Sequence, residues 1–385
     1  MFPLFRVARI GAVAIPMLYL GLLGLLTTTT FQTHAVYLNA MEMTWGKDLD
    51  VPEIFGFLRN QVTPFRISSN ESESLHSWLI TPLELYRRHE ASFLVEASGL
   101  DRDISSRLAF ELLREDPDAI LVIHFHGAGG TVASGYRCPN YRALSAGRPD
   151  KIHVLTFDYR GFGRSPGTPS EQGIIADALT VVNFALNTAR IPATRIAMFS
   201  QSLGTAVNVA VAEHYAQRNI VFAGHVLVAP FVDVPTLVST YRIAGVVPLL
   251  SPFSHFPVLF DYLRSWIQDT WATKDRLASY VRANEARGNK YFLTLIHAKD
   301  DFDIPWSHTT QLFWHGVNAS SPNGVTPEAL DRVKLMQGSD LGPGGSVLEW
   351  RTDTGIIREE ILRYGLHDVV MGNPVITLAI MRIIG

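Results

Sequence analysis

The chain has 385 residues, a formal net charge of −3 and 47% hydrophobic residues. This length and composition allow one large domain with additions, or two small domains. The weak net charge and the lack of a long basic run argue against a nucleic-acid partner. The single cysteine, Cys138, excludes an intrachain disulfide and a cysteine-based zinc site.

The beginning of the chain is far more apolar than the remainder. Arg6 and Arg9 precede a run without charge, and residues 10–26 are almost wholly apolar. With the threonines that follow, this run reaches roughly 20 residues, the length of a membrane-spanning helix. We therefore expect a membrane anchor with a cytosolic N-terminus. A signal peptide cleaved near residues 33–35 and a buried amphipathic helix are the alternatives.

Two N-x-S triplets, at Asn70 and Asn318, are candidate glycosylation acceptors. Their use requires a domain in the secretory lumen, which agrees with the orientation of the expected anchor. We therefore place the main domain in the lumen of the endoplasmic reticulum or outside the cell. The support is weak, because such triplets also occur by chance.

Three regions are predicted along the chain. Residues 1–36 form the anchor or signal peptide, residues 37–74 a connector, and residues 75–385 the folded domain. Within that domain strand-like runs alternate with helical patterns; the runs are LHSWLI, AILVIHFH, KIHVLTFDY, RIAMF, HVLVAP and YFLTLIHA. Alternation of this kind predicts an open α/β fold, a mainly parallel sheet with helices on both faces. Its functional sites lie at the C-terminal ends of the strands.

Two helices in this pattern are predicted from local signals. For the helix that includes GIIADALTVVNFAL, Thr168 is a candidate cap, Pro169 takes the first helical position and Glu171 completes a capping box. Near the C-terminus, the short strand-like segment VLEWRT is followed by IREEILRY, which we interpret as helical.

An aromatic-rich segment interrupts the alternation. Phe256, Phe260, Leu263 and Ile267 recur at helical spacing between two strand-like runs. One interpretation is ordinary packing of a helix on the sheet. The other is a cap, at about residues 235–288, that gives a site apolar walls and binds acyl chains.

Ser202 is the candidate nucleophile. It lies between the strand RIAMF and the helical run LGTAVNVAV, as a nucleophile elbow requires, although Ser200 stands where G-x-S-x-G has its first glycine. The turn places the Leu203 N–H at a helix N-terminus, where it can stabilise an oxyanion. The second oxyanion donor is expected from the Ala128 N–H, in the turn HFHGAGG after an early strand.

A serine nucleophile needs a histidine base and an acid that orients it. Carboxylates follow the strand YFLTLIHA at Asp300, Asp301 and Asp303, and His367 comes later, so that the order along the chain is serine, acid, histidine.

Other candidates are weaker. His297 is interpreted as a packed strand residue, His124 and His126 as residues that line the site, and Ser165 as a loop residue. GAGGTVASG does not match G-x-G-x-x-G. We therefore predict no cofactor and no metal.

The motifs FHGAGG, TFDYRGFGRSPGTPSEQGIIADAL, QSLGTAV and IHAKDDFDIP, read in series, resemble an α/β-hydrolase. More narrowly, the chain is similar to the membrane-anchored lysophosphatidylserine and monoacylglycerol lipases of that superfamily, over roughly residues 75–370. The resemblance implies Ser202 as nucleophile, His367 as base and, by its Asp-x-x-Ile-Pro spacing, Asp301 as acid. Residues 314–345 are longer than a minimal connector between the acid and the histidine.

The expected function is hydrolysis of carboxylic esters by an anchored serine hydrolase through an acyl-enzyme. A lipid ester, lysophospholipid or monoacylglycerol, is the favoured substrate. The alternatives are a thioesterase, an acyltransferase or a small-ester hydrolase on the same fold, and a non-catalytic membrane protein that binds a partner. The sequence gives no oligomeric state.

Overall fold

The computed structural model describes residue 14 and residues 17–68, 74–243, 247–248 and 256–385. Over these residues most strands join one ten-stranded sheet, and β7 pairs only with β8. The strands are β1 (Val62–Ile67), β2 (Leu75–Ile80), β3 (Ile120–Phe125), β4 (Ile152–Phe157), β5 (Ile196–Gln201), β6 (Gly224–Val228), β7 (Arg242–Ile243), β8 (Val247–Pro248), β9 (Tyr291–Ala298), β10 (Ser339–Asp340), β11 (Ser346–Arg351) and β12 (Gly355–Leu362).

The sheet is parallel in its centre and antiparallel at its edges. Its order is β1-β2-β4-β3-β5-β6-β9-β12-β11-β10, with parallel pairs from β4 to β12. The predicted α/β fold with a mainly parallel sheet is confirmed. β1 lies inside the region expected as a connector (residues 37–74) and pairs with β2, so the sheet begins at Val62 and not at residue 75.

Helices cover both faces of the sheet, as predicted. α6, α7, α10 and α11 pack side by side on one face, and α5 and α13 pack together on the other. The helices are α1 (Thr29–Tyr37), α2 (Leu83–Arg88), α3 (Glu90–Val95), α4 (Leu108–Glu115), α5 (Arg137–Ser145), α6 (Glu171–Asn183), α7 (Leu203–Ala216), α8 (Val234–Thr240), α9 (Pro257–Arg264), α10 (Thr273–Arg287), α11 (Ser307–Ser320), α12 (Pro327–Gln337) and α13 (Pro374–Ile384).

The central strands are buried on both sides because their sequences are continuous apolar runs. Every residue of β3, β4 and β5 is buried, as expected for parallel strands between two helical layers. The sharp turns that follow β3 and β5 therefore emerge at the same edge of the sheet, where a site can form.

Two local predictions were wrong. The first six residues of the run IREEILRY belong to strand β12 and not to a helix, because parallel pairing with β9 outweighs the local preference of its Glu, Arg and Leu residues for helix. α6 begins at Glu171, and its cap is Ser170, whose hydroxyl accepts the Gly173 N–H at 3.2 Å, and not Thr168.

Residues 10–13, 15 and 16 of the expected membrane span, residues 10–26, lie outside the described residues. Residues 17–25 are helical and lead through a short turn into α1. Within the described ranges, no helix combines the length and the apolar character that crossing a membrane requires.

Candidate active site

Ser202 occupies the sharp turn between β5 and α7. Its backbone has φ 54° and ψ −124°, a conformation that a non-glycine residue rarely adopts. The Ser202 N–H donates to the Val228 carbonyl on the next strand at 2.9 Å, which fixes the turn to the sheet. Strain of this kind persists only where surrounding contacts hold it, and it is typical of functional sites.

Two glycines make this turn possible. A Cβ on Gly204 would lie 2.1 Å from the Phe125 carbonyl oxygen, so only glycine lets α7 approach the end of β3. A Cβ on Gly127 would lie 3.2 Å from the Ser202 Cβ. The turns after β3 and β5 are therefore in direct contact.

Ser200, the departure from G-x-S-x-G, is accommodated by a polar network. Its hydroxyl donates to the Val226 carbonyl at 3.1 Å and accepts from Asn208 Nδ2 at 2.9 Å. The Asn208 carbonyl oxygen in turn accepts from His225 Nδ1 at 2.7 Å. Because all three groups are buried and paired, the extra hydroxymethyl links α7 to β5 and β6 and does not obstruct the turn.

Asp301 and His367 meet beyond the end of β9. His367 Nδ1 donates to Asp301 Oδ2 at 2.7 Å, and the backbone N–H groups of Asp303 and Ile304 donate to Asp301 Oδ1. Asp300 contacts the histidine loop differently: its Oδ1 accepts the N–H groups of Gly365 and Leu366, both at 2.9 Å. The structure therefore pairs His367 with Asp301 and gives Asp300 a role in shaping the loop.

The charges of this pair support each other. Burial alone raises the pKa of the Asp301 carboxyl, but hydrogen bonds from His297 and His367 outweigh burial and hold the pKa well below its usual range. Burial alone lowers the pKa of His367, but the hydrogen bond to Asp301 and the negative charges of Asp301, Asp368 and Asp303 raise it above the usual value. Asp301 is therefore ionised, and His367 is a stronger base than free imidazole.

His297 was interpreted from the sequence as a packed strand residue, and it also supports the acid. It is fully buried on β9, and its Nε2 lies 3.1 Å from Asp301 Oδ2 and 2.9 Å from the Ile304 carbonyl. Because that carbonyl can only accept, Nε2 carries a hydrogen. The Thr309 hydroxyl lies 2.6 Å from Nδ1 on the other side of the ring. In the sequence, the i, i+4 spacing of His297 and Asp301 was the feature that could have predicted this contact.

The glycine loop, residues 127–131, faces Ser202. The N–H groups of Gly129 and Gly130 donate to the carbonyls of Tyr37 and Met41, at 2.8 and 2.6 Å. The Thr131 N–H donates to the Ser134 hydroxyl at 2.8 Å. Within the part of the chain that the structure describes, the Ala128 N–H has no such partner, and neither has the Leu203 N–H at the start of α7. Both are candidate donors to a bound group.

Ser202 and His367 line one cavity of about 340 Å³. Gln201, beside the elbow, connects its two sides, because Gln201 Nε2 donates to the His367 carbonyl at 3.3 Å and to Asp368 Oδ1 at 3.2 Å. The remaining walls are mostly apolar. They come from residues 23–43, α8, α9 and Ile267 beyond it, and also from residues 134–137, Phe231 and Met371; the apolar members include Leu23, Leu26, Val36, Leu237, Val238 and Leu263. Part of the expected cap segment, residues 235–288, thus lines the cavity, whereas its last helix, α10, packs against α7 and α11.

The other candidates have structural surroundings. His124 is buried against Phe199 and Tyr141, and burial lowers its pKa to about 3, so it is neutral and no base. Ser165 is a buried loop residue whose hydroxyl donates to the Asp158 carbonyl at 2.7 Å.

The structure describes one of the two candidate glycosylation acceptors. Asn318 lies half-buried in α11, with its side-chain oxygen accepting the Val325 N–H at 2.9 Å. Asn70 lies outside the described residues.

One group of potential metal ligands occurs among the described residues, formed by Asp301, Asp303 and His367. The Asp301 oxygens already accept N–H groups from His367, Asp303 and Ile304, so the donor set is satisfied by the protein itself. The geometry fits an acid–base pair better than an ion site.

The fold and this arrangement of a strained serine, a histidine and an acid define the class of α/β hydrolases. The alpha/beta hydrolase family matches residues 120–341, more than half of the 385 residues. The chain therefore belongs to this family. Ser202 and Asp301 lie inside the matched range, and His367 lies beyond it.

Curated relatives narrow the comparison. The chain is 25% identical over 295 residues to the lysophosphatidylserine lipase ABHD12 of Danio rerio, covering 77% of this chain and 69% of that protein. It is 28% identical over 286 residues to the Xenopus tropicalis lysophosphatidylserine lipase ABHD12, covering 73% and 64%. The chain thus spans about two thirds of the length of these relatives, and its predicted resemblance to this lipase group is confirmed.

Among solved structures, an α/β hydrolase from Vibrio vulnificus superposes with a TM-score of 0.52 at 14% identity, covering 80% of this chain and 90% of that one. This similarity concerns the fold. Together with the family, the relatives make the chain an enzyme of the carboxylic ester hydrolase type.

Proposed function

We propose that this enzyme is a membrane-associated serine hydrolase that cleaves lipid esters of the lysophospholipid or monoacylglycerol type. The observation that carries the proposal is the position of Ser202 and His367 in one apolar cavity, with His367 held by Asp301 at 2.7 Å. Apolar walls suit an acyl chain, and Ser202 and His367 lie in the same cavity, where an ester carbonyl would react.

The reaction begins when His367 takes the proton of the Ser202 hydroxyl as its oxygen attacks the ester carbonyl. Asp301 keeps the imidazole oriented and stabilises its charged form. The tetrahedral oxyanion accepts from the N–H groups of Ala128 and Leu203, each worth about 3 kcal/mol of transition-state stabilisation. His367 then protonates the leaving alcohol, and water releases the acyl group from Ser202 by the same steps.

Membrane association is supported by an apolar surface beside the cavity. Leu18 and Leu20 in the helical residues 17–25, and Val258 and Tyr262 in α9, expose 58 to 86% of their surface. Each segment also lines the cavity, through Leu23 and Leu263, and Gln32 in α1 bonds the residues that follow α9: its Nε2 donates to the Trp266 carbonyl at 2.7 Å, and its Oε1 accepts the Gln268 N–H. Exposed apolar side chains on segments that line a cavity are suited to a lipid interface.

Labelling with a fluorophosphonate probe tests the nucleophile. Wild type and Ser202→Ala are compared in membrane and soluble fractions, followed by hydrolysis of lysophospholipid and monoacylglycerol with long and short acyl chains. We expect labelling that depends on Ser202, in the membrane fraction, and faster turnover of long chains. Unchanged hydrolysis by Ser202→Ala would overturn the mechanism, and a preference for acetyl esters would overturn the lipid substrate.

The lumenal or extracellular orientation is part of the proposal. A mobility shift after treatment with an N-glycosidase, lost in a double Asn70→Gln, Asn318→Gln variant, is the expected result. A domain accessible to protease from the cytosolic side would contradict it.

A further inference from the structure

A buried cation contacts the glycine loop and also lines the cavity. Arg137, in the first turn of α5, is 7% exposed. Its Nη2 donates to the Gly127 carbonyl at 3.0 Å and to the Gly129 carbonyl at 2.7 Å, and its Nη1 donates to the Thr131 carbonyl. Within the described ranges these carbonyls, and not a carboxylate ion pair, meet the guanidinium.

The Gly127 carbonyl has a second donor. His126 Nδ1 lies 2.8 Å from it, and because a carbonyl can only accept, this nitrogen carries the hydrogen. Burial lowers the pKa of His126 well below its usual value, so the ring is neutral and donates through Nδ1 alone. Two donors from one side thus determine where this carbonyl oxygen points.

A trans peptide group directs its C=O and the following N–H to opposite sides. The carbonyl of Gly127 and the N–H of Ala128 belong to one such group. Since Arg137 and His126 both bond the Gly127 oxygen, they also fix the direction of the Ala128 N–H. Ala128 lines the cavity together with Ser202, Leu203 and Arg137 itself, so the peptide held in this way belongs to the wall around Ser202.

We propose that Arg137 is a positioning residue for the hydrolase reaction. It fixes the 127–128 peptide so that the Ala128 N–H meets the oxyanion, and its charge polarises that peptide, which strengthens the N–H as a donor. The inference rests on the proposed function and adds a residue to it. Since the planar fork of arginine reaches three carbonyls at once, lysine cannot replace it fully.

The test compares substitutions at two arginines of the same helix. Arg137→Met removes the charge with similar volume, and Arg137→Lys keeps the charge with fewer donors. Arg142→Met is the matched control, because Arg142 also donates to a backbone carbonyl, that of Gly56 at 2.7 Å, but away from the site. Hydrolysis of neutral p-nitrophenyl butyrate gives kcat and KM, and thermal unfolding reports whether each variant is folded.

We expect Arg137→Met to lower kcat about 100-fold with little change in KM, the size of effect seen when an oxyanion donor is lost. Arg137→Lys should recover part of the loss, and Arg142→Met should stay near wild type. Affinity for an acyl trifluoromethyl ketone, whose adduct with Ser202 carries an oxyanion, should fall in parallel with kcat. If Arg137→Met does not fold, Arg137→Lys carries the comparison.

Ser202→Ala, measured in parallel, separates the two proposals. If wild-type hydrolysis does not need Ser202, the proposed function fails and the role of Arg137 fails with it. If hydrolysis needs Ser202 but folded Arg137 variants match Arg142→Met, only the role of Arg137 is overturned. A loss confined to KM also overturns it, because it would indicate direct substrate contact.

Discussion

The two sides of the cavity are built by opposite means. The floor, which comprises Ser202, Asp301, His367 and the glycine loop, consists of turns at the C-terminal edge of the sheet. Hydrogen bonds hold its acid, its histidine and its glycine loop, and leave the Ala128 and Leu203 N–H groups for a bound group. The roof, residues 23–43 with α8 and α9, meets the cavity mainly with apolar side chains; it is bonded to the glycine loop through the Tyr37 and Met41 carbonyls and within itself by contacts such as Gln32 with Trp266. Chemistry demands fixed geometry, whereas binding of an acyl chain demands only apolar area.

The largest effect should follow from disturbing the floor at its acid. Asp301→Asn keeps the shape of the side chain but replaces the carboxylate that accepts from His367 with a neutral amide. We expect kcat to fall about 10⁴-fold. Asp303→Asn, two residues further along the chain and not hydrogen-bonded to His367 Nδ1, should lower kcat about tenfold at most. Steady-state kinetics of both variants on one ester tests this prediction. Equal losses of kcat in Asp301→Asn and Asp303→Asn would contradict the assignment of Asp301 as the acid.

Stability should also depend more on the floor's sterics than on its hydrogen bonds. Gly204→Ala places a Cβ 2.1 Å from the Phe125 carbonyl oxygen, which cannot yield, so we expect destabilisation by about 3 kcal/mol or more. Ser200→Ala leaves Asn208 with one partner fewer and should cost about 1–2 kcal/mol. Thermal unfolding of both variants measures the two losses of stability. A larger loss in Ser200→Ala than in Gly204→Ala would contradict the close approach of α7 to the end of β3.

The roof should affect selectivity and not the chemical step. Leu263→Gln puts an amide into the apolar wall, so turnover of long-chain esters should drop about tenfold while that of acetyl esters changes little. Leu259→Gln, on the same helix but 42% exposed and outside the cavity lining, is the control. If Leu263→Gln lowers the turnover of long-chain esters and acetyl esters equally, the roof does not act on selectivity alone, and the distinction between floor and roof is wrong.

The smallest effect concerns the charge around His367. Because His367 must be neutral to act, its raised pKa moves the acidic limb of kcat/KM to higher pH. Asp368→Asn removes one negative charge and lowers that pKa, so it should raise activity a few-fold at pH values below the wild-type His367 pKa and leave activity unchanged at pH values well above it. A pH–rate profile of kcat/KM shows whether the acidic limb moves to lower pH in Asp368→Asn. A shift of the limb to higher pH would contradict the prediction.

The order along the chain left Asp300, Asp301 and Asp303 open as the acid, and the family resemblance favoured Asp301. The turn at Ser202 was predictable from the sequence, because strand, turn and helix form a local pattern. Arg137 was not, since its three carbonyl partners become visible only when the loop closes around it. The strand β12 was missed for a related reason: its pairing with β9 joins segments more than sixty residues apart and overrides local preference.

The N-terminal segment carries a consequence for producing the enzyme. The carbonyls of Tyr37 and Met41 accept the N–H groups of Gly129 and Gly130, and the Tyr37 hydroxyl donates to Asp269 at 2.6 Å. A shortened form that begins after residue 43, a natural choice for removing the apolar start and improving expression, would delete these acceptors. Trimming should therefore stop before α1, with detergent or surface substitutions dealing with the exposed apolar residues that remain.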